Sequence, residues 1–569
     1  MDKPTRCFLP QDLVISTWED IAPYFNELDR RIIEGKDDLV RWLKELSELE
    51  AVMEEELAWR YIKMTIDTQS KKLQEAYHFF VAKISPEAQP YYNKFNKKLI
   101  ESPFKELLTD DEGYAVMLRS VANEIELFRA ENIAIQSELD QLSQEYGNIA
   151  GAMLIEHEGE ELTMQQAAKL LSDNDRNVRQ TIFEKINQRR FLAREKLHQL
   201  FDKLIEKRQQ MALNADFSNY RDYKFQSMGR FDYTPEDCFQ FHEAIRKSVV
   251  PLVEQMHQQR KQQLGFEELK PFDLEVDPNG LKALEPFQKS EELINRSIDV
   301  FNMVKPLYGD FLRTMKDEGF LDLASKKGKA PGGYNYPLYE SGVPFIFMNA
   351  VGTHDDLITM MHEGGHAIHS FLTASLKLTS FKSLPSEVAE LASMSMELIS
   401  MDYWHLFYTN EHDLVRAKRE QMERMLMVLP WVAIVDKFQH WVYEHPNHTH
   451  AEREDEWLKI QNSLSSSVID WSDYEQYKSI AWQKQLHIFE VPFYYIEYGF
   501  AQLGAIAVWK NYRENPQLAL VQYERALSLG YTKTIPEIYE AAGIQFNFSE
   551  AYVSELVAFV KQEIANLPE

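Results

Sequence analysis

Two histidines four residues apart bracket a glutamate in the stretch Thr359-Met-Met-His362-Glu363-Gly-Gly-His366-Ala-Ile-His369. On an α-helix, residues i and i+4 share a face, so both imidazoles reach one small cation while Glu363 stands at the same edge. This is the H-E-x-x-H arrangement that supplies two zinc ligands and a general base for hydrolysis. Such a pentapeptide arises by chance in roughly a few per cent of chains this long, so its surroundings must carry the reading. Leu357, Ile358, Met360 and Met361 would draw the helix into the interior, where two imidazoles and a carboxylate are costly without a partner. Gly364 and Gly365 each cost a helix about 1 kcal/mol relative to alanine, which points to close approach of another backbone.

A second acidic helix follows, opened by Pro385 and running Ser386-Glu387-Val-Ala-Glu390-Leu-Ala-Ser-Met-Ser-Met-Glu397. Glu387, Glu390, Met394 and Glu397 fall on one face of it. A catalytic zinc takes three protein ligands and keeps a fourth position open, and His-His-Glu is one of the standard sets. His362 and His366 are two of these; Glu390 is the preferred third ligand, with Glu387 as its rival. A metzincin would carry Gly at position 369 and His at 372, whereas His369 and Leu372 stand there. One Zn2+ per chain is the expected cofactor, although the same donors accept cobalt or manganese.

With Gly328-Lys-Ala-Pro-Gly332-Gly333-Tyr, Pro344-Phe-Ile-Phe-Met-Asn-Ala-Val-Gly-Thr, Glu387-Val-Ala-Glu390 and His487-Ile-Phe-Glu-Val-Pro-Phe-Tyr-Tyr-Ile-Glu-Tyr498 added to the histidine motif, the sequence resembles the M3 family of metallopeptidases. That family includes thimet oligopeptidase, oligoendopeptidase F and the Pz-peptidases, and the likeness is strongest to the last two. The resemblance implies a mainly α, two-lobed zincin-type fold, with a small β-sheet beside the zinc-binding helix and a deep substrate channel. It implies a zinc-dependent oligoendopeptidase that cleaves internal bonds of short peptides, and it favours Glu390 over Glu387 as ligand. Glu363 would take a proton from a zinc-activated water and return it to the leaving amine. His369 and Glu387 would orient the ligands. His487, Tyr494 and Tyr498 match the region that donates hydrogen bonds to the developing oxyanion. A further tyrosine of the family pattern is replaced by Ala501.

These groups need elements to position them. Residues 343–350, Val-Pro-Phe-Ile-Phe-Met-Asn-Ala, are the best strand candidate, and Pro344 suits an edge strand. An exposed edge can pair with an extended peptide, which makes Phe347, Asn349 and Ala350 candidate substrate contacts, together with Gly332 and Gly333 from the loop 327–337. Residues 11–210 read as helical throughout, with Leu39, Trp42, Leu43, Leu46, Met53 and Leu57 at helix spacing. The exception is a short hairpin within 150–163. Thr234 before Pro235 reads as a helix N-cap. The expected division is an N-terminal helical lobe over 1–210 and a catalytic lobe over 211–569.

Composition narrows the classes further. With 62 basic and 90 acidic residues the chain carries −28, which disfavours nucleic acid and anionic membrane surfaces as partners. Cys7 and Cys238 make no disulfide framework. The opening Met1-Asp-Lys-Pro-Thr-Arg-Cys-Phe-Leu-Pro has no signal-like apolar stretch, and no later run would span a bilayer, so a cytoplasmic location is expected. Two other classes stay open: a metallohydrolase of non-peptide amides or esters, and a non-catalytic helical scaffold.

Overall fold

A computed structural model describes residues 5–109 and 112–568, so the first four residues of the opening stretch lie outside it. Helices dominate, with five short strands among the described residues. None of these helices is long and apolar enough to cross a membrane. The long helix Lys36–Ile66 buries Leu39, Trp42, Leu43, Leu46 and Met53 and leaves Leu57 half-buried. One apolar core gathers residues from Leu9 to Met117 together with Leu378 and Phe381, while a much larger one runs from Ile135 to Val560. The helix Arg176–Asn214 runs straight through position 210.

The short hairpin is present as β1 (Leu154–His157) paired antiparallel with β2 (Glu160–Thr163). Glu158 and Gly159 between them both have positive φ, the turn whose twist suits a two-residue hairpin. Thr234 caps the helix Pro235–Ser248, its backbone N–H and hydroxyl both donating to Asp237.

The second sheet bears on the site. It comprises β3 (Leu321–Ala324), β4 (Tyr334–Tyr336) and β5 (Phe345–Ala350) in the order β3-β5-β4, with β5 parallel to β3 and antiparallel to β4. This overturns the expectation of β5 as an edge. Pro344 precedes the strand, so its missing N–H says nothing about pairing within it, and Phe345, Ile346, Phe347 and Met348 are buried as in a central strand. The outer strand β4 comes from the stretch read as a loop. It is tied to the end of the Lys36–Ile66 helix: the Thr65 and Tyr334 hydroxyls lie 2.6 Å apart, and Ala330 N–H donates to the Thr65 carbonyl at 2.8 Å.

The motif helix, His354–Thr373, starts at Thr353, whose hydroxyl accepts from Asp356 N–H while the Asp356 carboxylate accepts from Thr353 N–H at 2.9 Å. It packs on the acidic helix, Ser386–Ser400, and on the helix Ser290–Val304. The two motif glycines face these neighbours. A Cβ on Gly364 would lie 2.3 Å from the Phe301 ring, and one on Gly365 would lie 2.6 Å from Ser393 Cα and 2.8 Å from the Ala392 carbonyl oxygen. The second contact is backbone and cannot swing aside. Gly365→Ala should therefore destabilise the protein by about 1–3 kcal/mol through overpacking, despite a helix-propensity gain of about 1 kcal/mol. Urea unfolding measures this, and stability at or above wild type would show that the helices can separate.

Candidate functional site

The helix contact brings the predicted ligands together. Nε2 of His362 and Nε2 of His366 lie 3.3 and 3.7 Å from Glu390 Oε2, and one ligand atom from each residue falls within 4.8 Å of the others. Ser393 Oγ donates to Glu390 Oε2 at 3.1 Å. Burial pushes the Glu390 carboxyl up, but the His362 hydrogen bond and both imidazoles outweigh it and hold it down at about 2. Burial pulls His362 down, yet the Glu390 and Glu397 carboxylates prevail and raise it; burial holds His366 down at about 4.

Glu363 is buried beside this set, and its Oε2 has no hydrogen-bond partner. Burial is the main cause of its rise to about 7. A buried carboxylate oxygen left unpaired beside three convergent nitrogen and oxygen donors fits a site built for a divalent cation and a water. His362, His366 and Glu390 could hold such an ion, and the donor set suits zinc.

The structure gives the supporting carboxylates different partners. Glu387 accepts from the Tyr233 hydroxyl at 2.6 Å, and Tyr539 donates to its carbonyl at 3.0 Å, in a buried network beside the Arg230–Glu497 ion pair at 2.8 Å. The carboxylate that holds a motif histidine is Glu397, whose Oε1 is 2.7 Å from His362 Nδ1 and whose Oε2 accepts from Gln421 at 2.7 Å. Sequence reading placed Glu397 on the stripe but gave it no task; its spacing of seven from Glu390, two helical turns, was the available signal. His369 is buried one turn beyond His366, and burial holds it down at about 3.

A cavity of about 530 Å³ opens over these groups, with Gly333, Tyr334 and Asn335 on one side and Tyr494 and Tyr498 on another. Asn335 donates to the Glu363 carbonyl at 3.3 Å, which seats β4 against the motif helix. Of the predicted substrate contacts, only Gly333 lines this space. Phe347 is buried, stacked on Tyr334 at 4.7 Å with the Lys329 ammonium over its ring, and Asn349 donates to the carbonyls of Ala330 and Gly332. Gly332 occupies a positive-φ position in that loop, and Ala350 ends the central strand. These four residues shape the sheet and leave the cavity wall to β4.

Tyr494 and Tyr498 lie 5.4 Å apart between ring centres, and the Tyr494 hydroxyl sits 3.5 Å from Glu390 Oε1. Burial raises both phenols above their usual range, so they remain donors. His487 packs 5.8 Å from Tyr498 and is held by Gln485 at 2.6 Å. The backbone before the tyrosines is unusual: Phe493 has φ +66. Its N–H donates to Gln439 Oε1 at 2.8 Å, its carbonyl accepts from Arg230, and its ring packs on Phe225 and Tyr443. No sequence signal marked this residue, because a phenylalanine in the left-handed region is set by tertiary packing.

Comparison with known proteins follows the same lines. Residues 169–558 match the model of peptidase family M3, and residues 8–128 match that of the peptidase M3 N-terminal domain. The group B oligopeptidase PepB of Streptococcus agalactiae is 24% identical over 318 residues, covering 55% of this chain and 49% of that protein. The chromosomal oligoendopeptidase F of Lactococcus lactis subsp. cremoris is 24% identical over 285 residues, covering 50% and 44%. The chain thus spans about half the length of these curated relatives. Among solved structures, Pz peptidase A with an inhibitor superimposes with a TM-score of 0.89 at 27% identity, covering 96% of this chain and 97% of the other.

The Glu397 contact yields a test that needs no substrate. Glu397→Ala frees the His362 ring, and chelator competition should show affinity for a divalent ion at this site lower by about 10–100-fold with the fold retained. Unchanged affinity would mean that the ring is held by packing alone.

Proposed function

Because the chain belongs to peptidase family M3, we propose that it is a zinc-dependent oligoendopeptidase, a metalloendopeptidase of the EC 3.4.24 type that hydrolyses internal bonds of short peptides. The observation that carries this reading is the convergence of His362, His366 and Glu390 beside an unpaired Glu363 carboxylate in a cavity that also exposes a sheet edge. In this reading the first three residues hold the metal, and residues 211–569 supply the chemistry while 1–210 form the helical lobe. Bound zinc supplies Lewis acidity toward water and the scissile carbonyl.

The protein groups do the rest. β4 lends its outer edge to an extended peptide, so the backbone of the substrate is recognised before its side chains. Glu363, raised to about 7, accepts a proton from the attacking water on its free Oε2 and returns it to the departing amine. Tyr498 and Tyr494 direct O–H donors at the oxygen where negative charge develops. His487 packs behind them and sets their orientation. With the metal ligands set inside this cavity, short peptides would be the natural substrates. The acidic surface leaves nucleic acid and anionic membranes outside its range of partners, and a cytoplasmic location accords with this reading.

Hydrolysis of quenched peptides of increasing length, with metal content measured in parallel, tests the proposal. Cleavage should need several residues on each side of the scissile bond and cease beyond a modest length; equal turnover of small amides or esters would show the substrate class to be wrong. Glu363→Gln should keep its zinc while losing about 10²–10⁴ in turnover. Glu390→Ala should lose the metal itself. Tyr498→Phe should lower kcat by about 10²–10³ with metal content unchanged, and an undiminished rate would transfer the donor role to Tyr494.

A further inference from the structure

A second group of metal-type side chains lies outside this cavity. Cys238 and His242 stand four apart on the helix Pro235–Ser248, and Asp436 and His440 stand four apart on the helix Glu411–Glu444. The two helices pack together, so each contributes one such pair to a common interior point. One ligand atom each from Cys238, Asp436 and His440 lies within 4.8 Å of the others, and the three residues are no more than 1% exposed. Asp436 Oδ2 is 3.2 Å from His440 Nε2 and 2.8 Å from His242 Nε2.

The hydrogen bonding of this cluster is incomplete. The His242–Asp436 contact is a good hydrogen bond, but Asp436 Oδ1, His242 Nδ1 and His440 Nδ1 have no hydrogen-bond partner, and His440 Nε2 has only the poorly aligned Asp436 carboxylate beside it. Phe225, Phe239 and Phe493 pack their rings 5.7, 4.8 and 5.2 Å from the His440 ring, so much of its surroundings is apolar. Orphaned polar atoms of this kind are costly in an interior and call for an unseen partner. Tetrahedral zinc, with bonds of about 2.0–2.3 Å, sets its ligand atoms about 3.3–3.8 Å apart, close to the separation of Asp436 and His440.

We propose that Cys238, Asp436 and His440 form a second site for a divalent ion of the zinc type, with His242 holding the Asp436 carboxylate. Sulfur, imidazole and carboxylate donors together select zinc, cobalt or iron over magnesium or calcium. Binding displaces the Cys238 thiol proton to solvent, and the two negative ligands balance the ion's charge. The ion clamps two helices and backs the Phe493 turn, because His440 touches that ring and its neighbour Gln439 holds the Phe493 N–H.

The test is cobalt loading during expression, so that the ion enters as the chain folds. Cobalt bound by a thiolate shows a near-ultraviolet charge-transfer absorption, and the His362, His366 and Glu390 set contains no sulfur to produce one. Wild type, Cys7→Ser and His362→Ala should all show the band. Cys238→Ser should lose it and carry one ion per chain fewer than wild type. Absence of the band in cobalt-loaded wild type, the result expected if the cluster holds only water, would overturn the proposal without reference to any variant. So would its persistence in Cys238→Ser or its loss in Cys7→Ser. Because the band survives in His362→Ala if the proposal holds, its failure is separable from failure of the peptidase reading.

Discussion

The backbone contact between the motif helix and the acidic helix governs the rest of the structure. At Gly365 the two helices meet with no room for a side chain, and Ser393 and Ala392 of the acidic helix take the space a Cβ would fill. This separation lets side chains as short as a glutamate and two histidines meet across the seam. Glycines weaken the helix that carries them, so its integrity depends on the Thr353 and Asp356 cap and on burial against Phe301 on the other flank. The geometry of the polar cluster thus follows from packing, and the polar groups alone would not hold it.

Around that seam the polar side chains form two layers. Close in, Glu390 contacts both imidazoles, and Glu397 with Gln421 fixes the ring of His362. Farther out, Glu387, Tyr233, Arg230 and Glu497 form a buried network whose members leave few atoms to solvent. Burial and the nearby Glu387 push the Glu497 carboxyl up, and the Arg230 guanidinium opposes that rise. A network of this kind contributes more to a unique arrangement than to stability, since its Coulombic gain is offset by desolvation. It connects the acidic helix to the turn that carries the tyrosines through Arg230, which bonds both Glu497 and the Phe493 carbonyl.

The parts of this design that obey helical periodicity were legible in the sequence. His362, Glu363 and His366 are one turn of helix, and spacing alone brings them to one edge. The close approach at the two glycines was likewise readable, because their helix cost demands a compensation. Family likeness strengthened the preference for Glu390 over Glu387, since both occupy the same face and only the rotation of one helix against another separates them. The sheet was misread for a local reason: Pro344 lies just outside β5, and the edge strand beside the cavity, β4, is three residues within a stretch of Gly, Lys and Tyr that has no alternating pattern. Spacing placed Glu397 on the acidic face but not its contact with Gln421, and Phe493 carried no signal, because its partners Gln439 and Arg230 come from segments far apart in the chain.

Phe493 extends the matter beyond the cavity. Holding a phenylalanine in the left-handed region costs about 1–2 kcal/mol, and burial of its ring, worth about 2–3 kcal/mol, keeps it there. The next residue along the chain is Tyr494, so the direction of a hydroxyl in the cavity is decided by how well an aromatic pocket is filled. The set of residues that position the cavity's side chains is therefore wider than the set that lines it. Phe225, Tyr443 and Gln439, core residues by location, thus bear on the position of Tyr494 through the Phe493 turn.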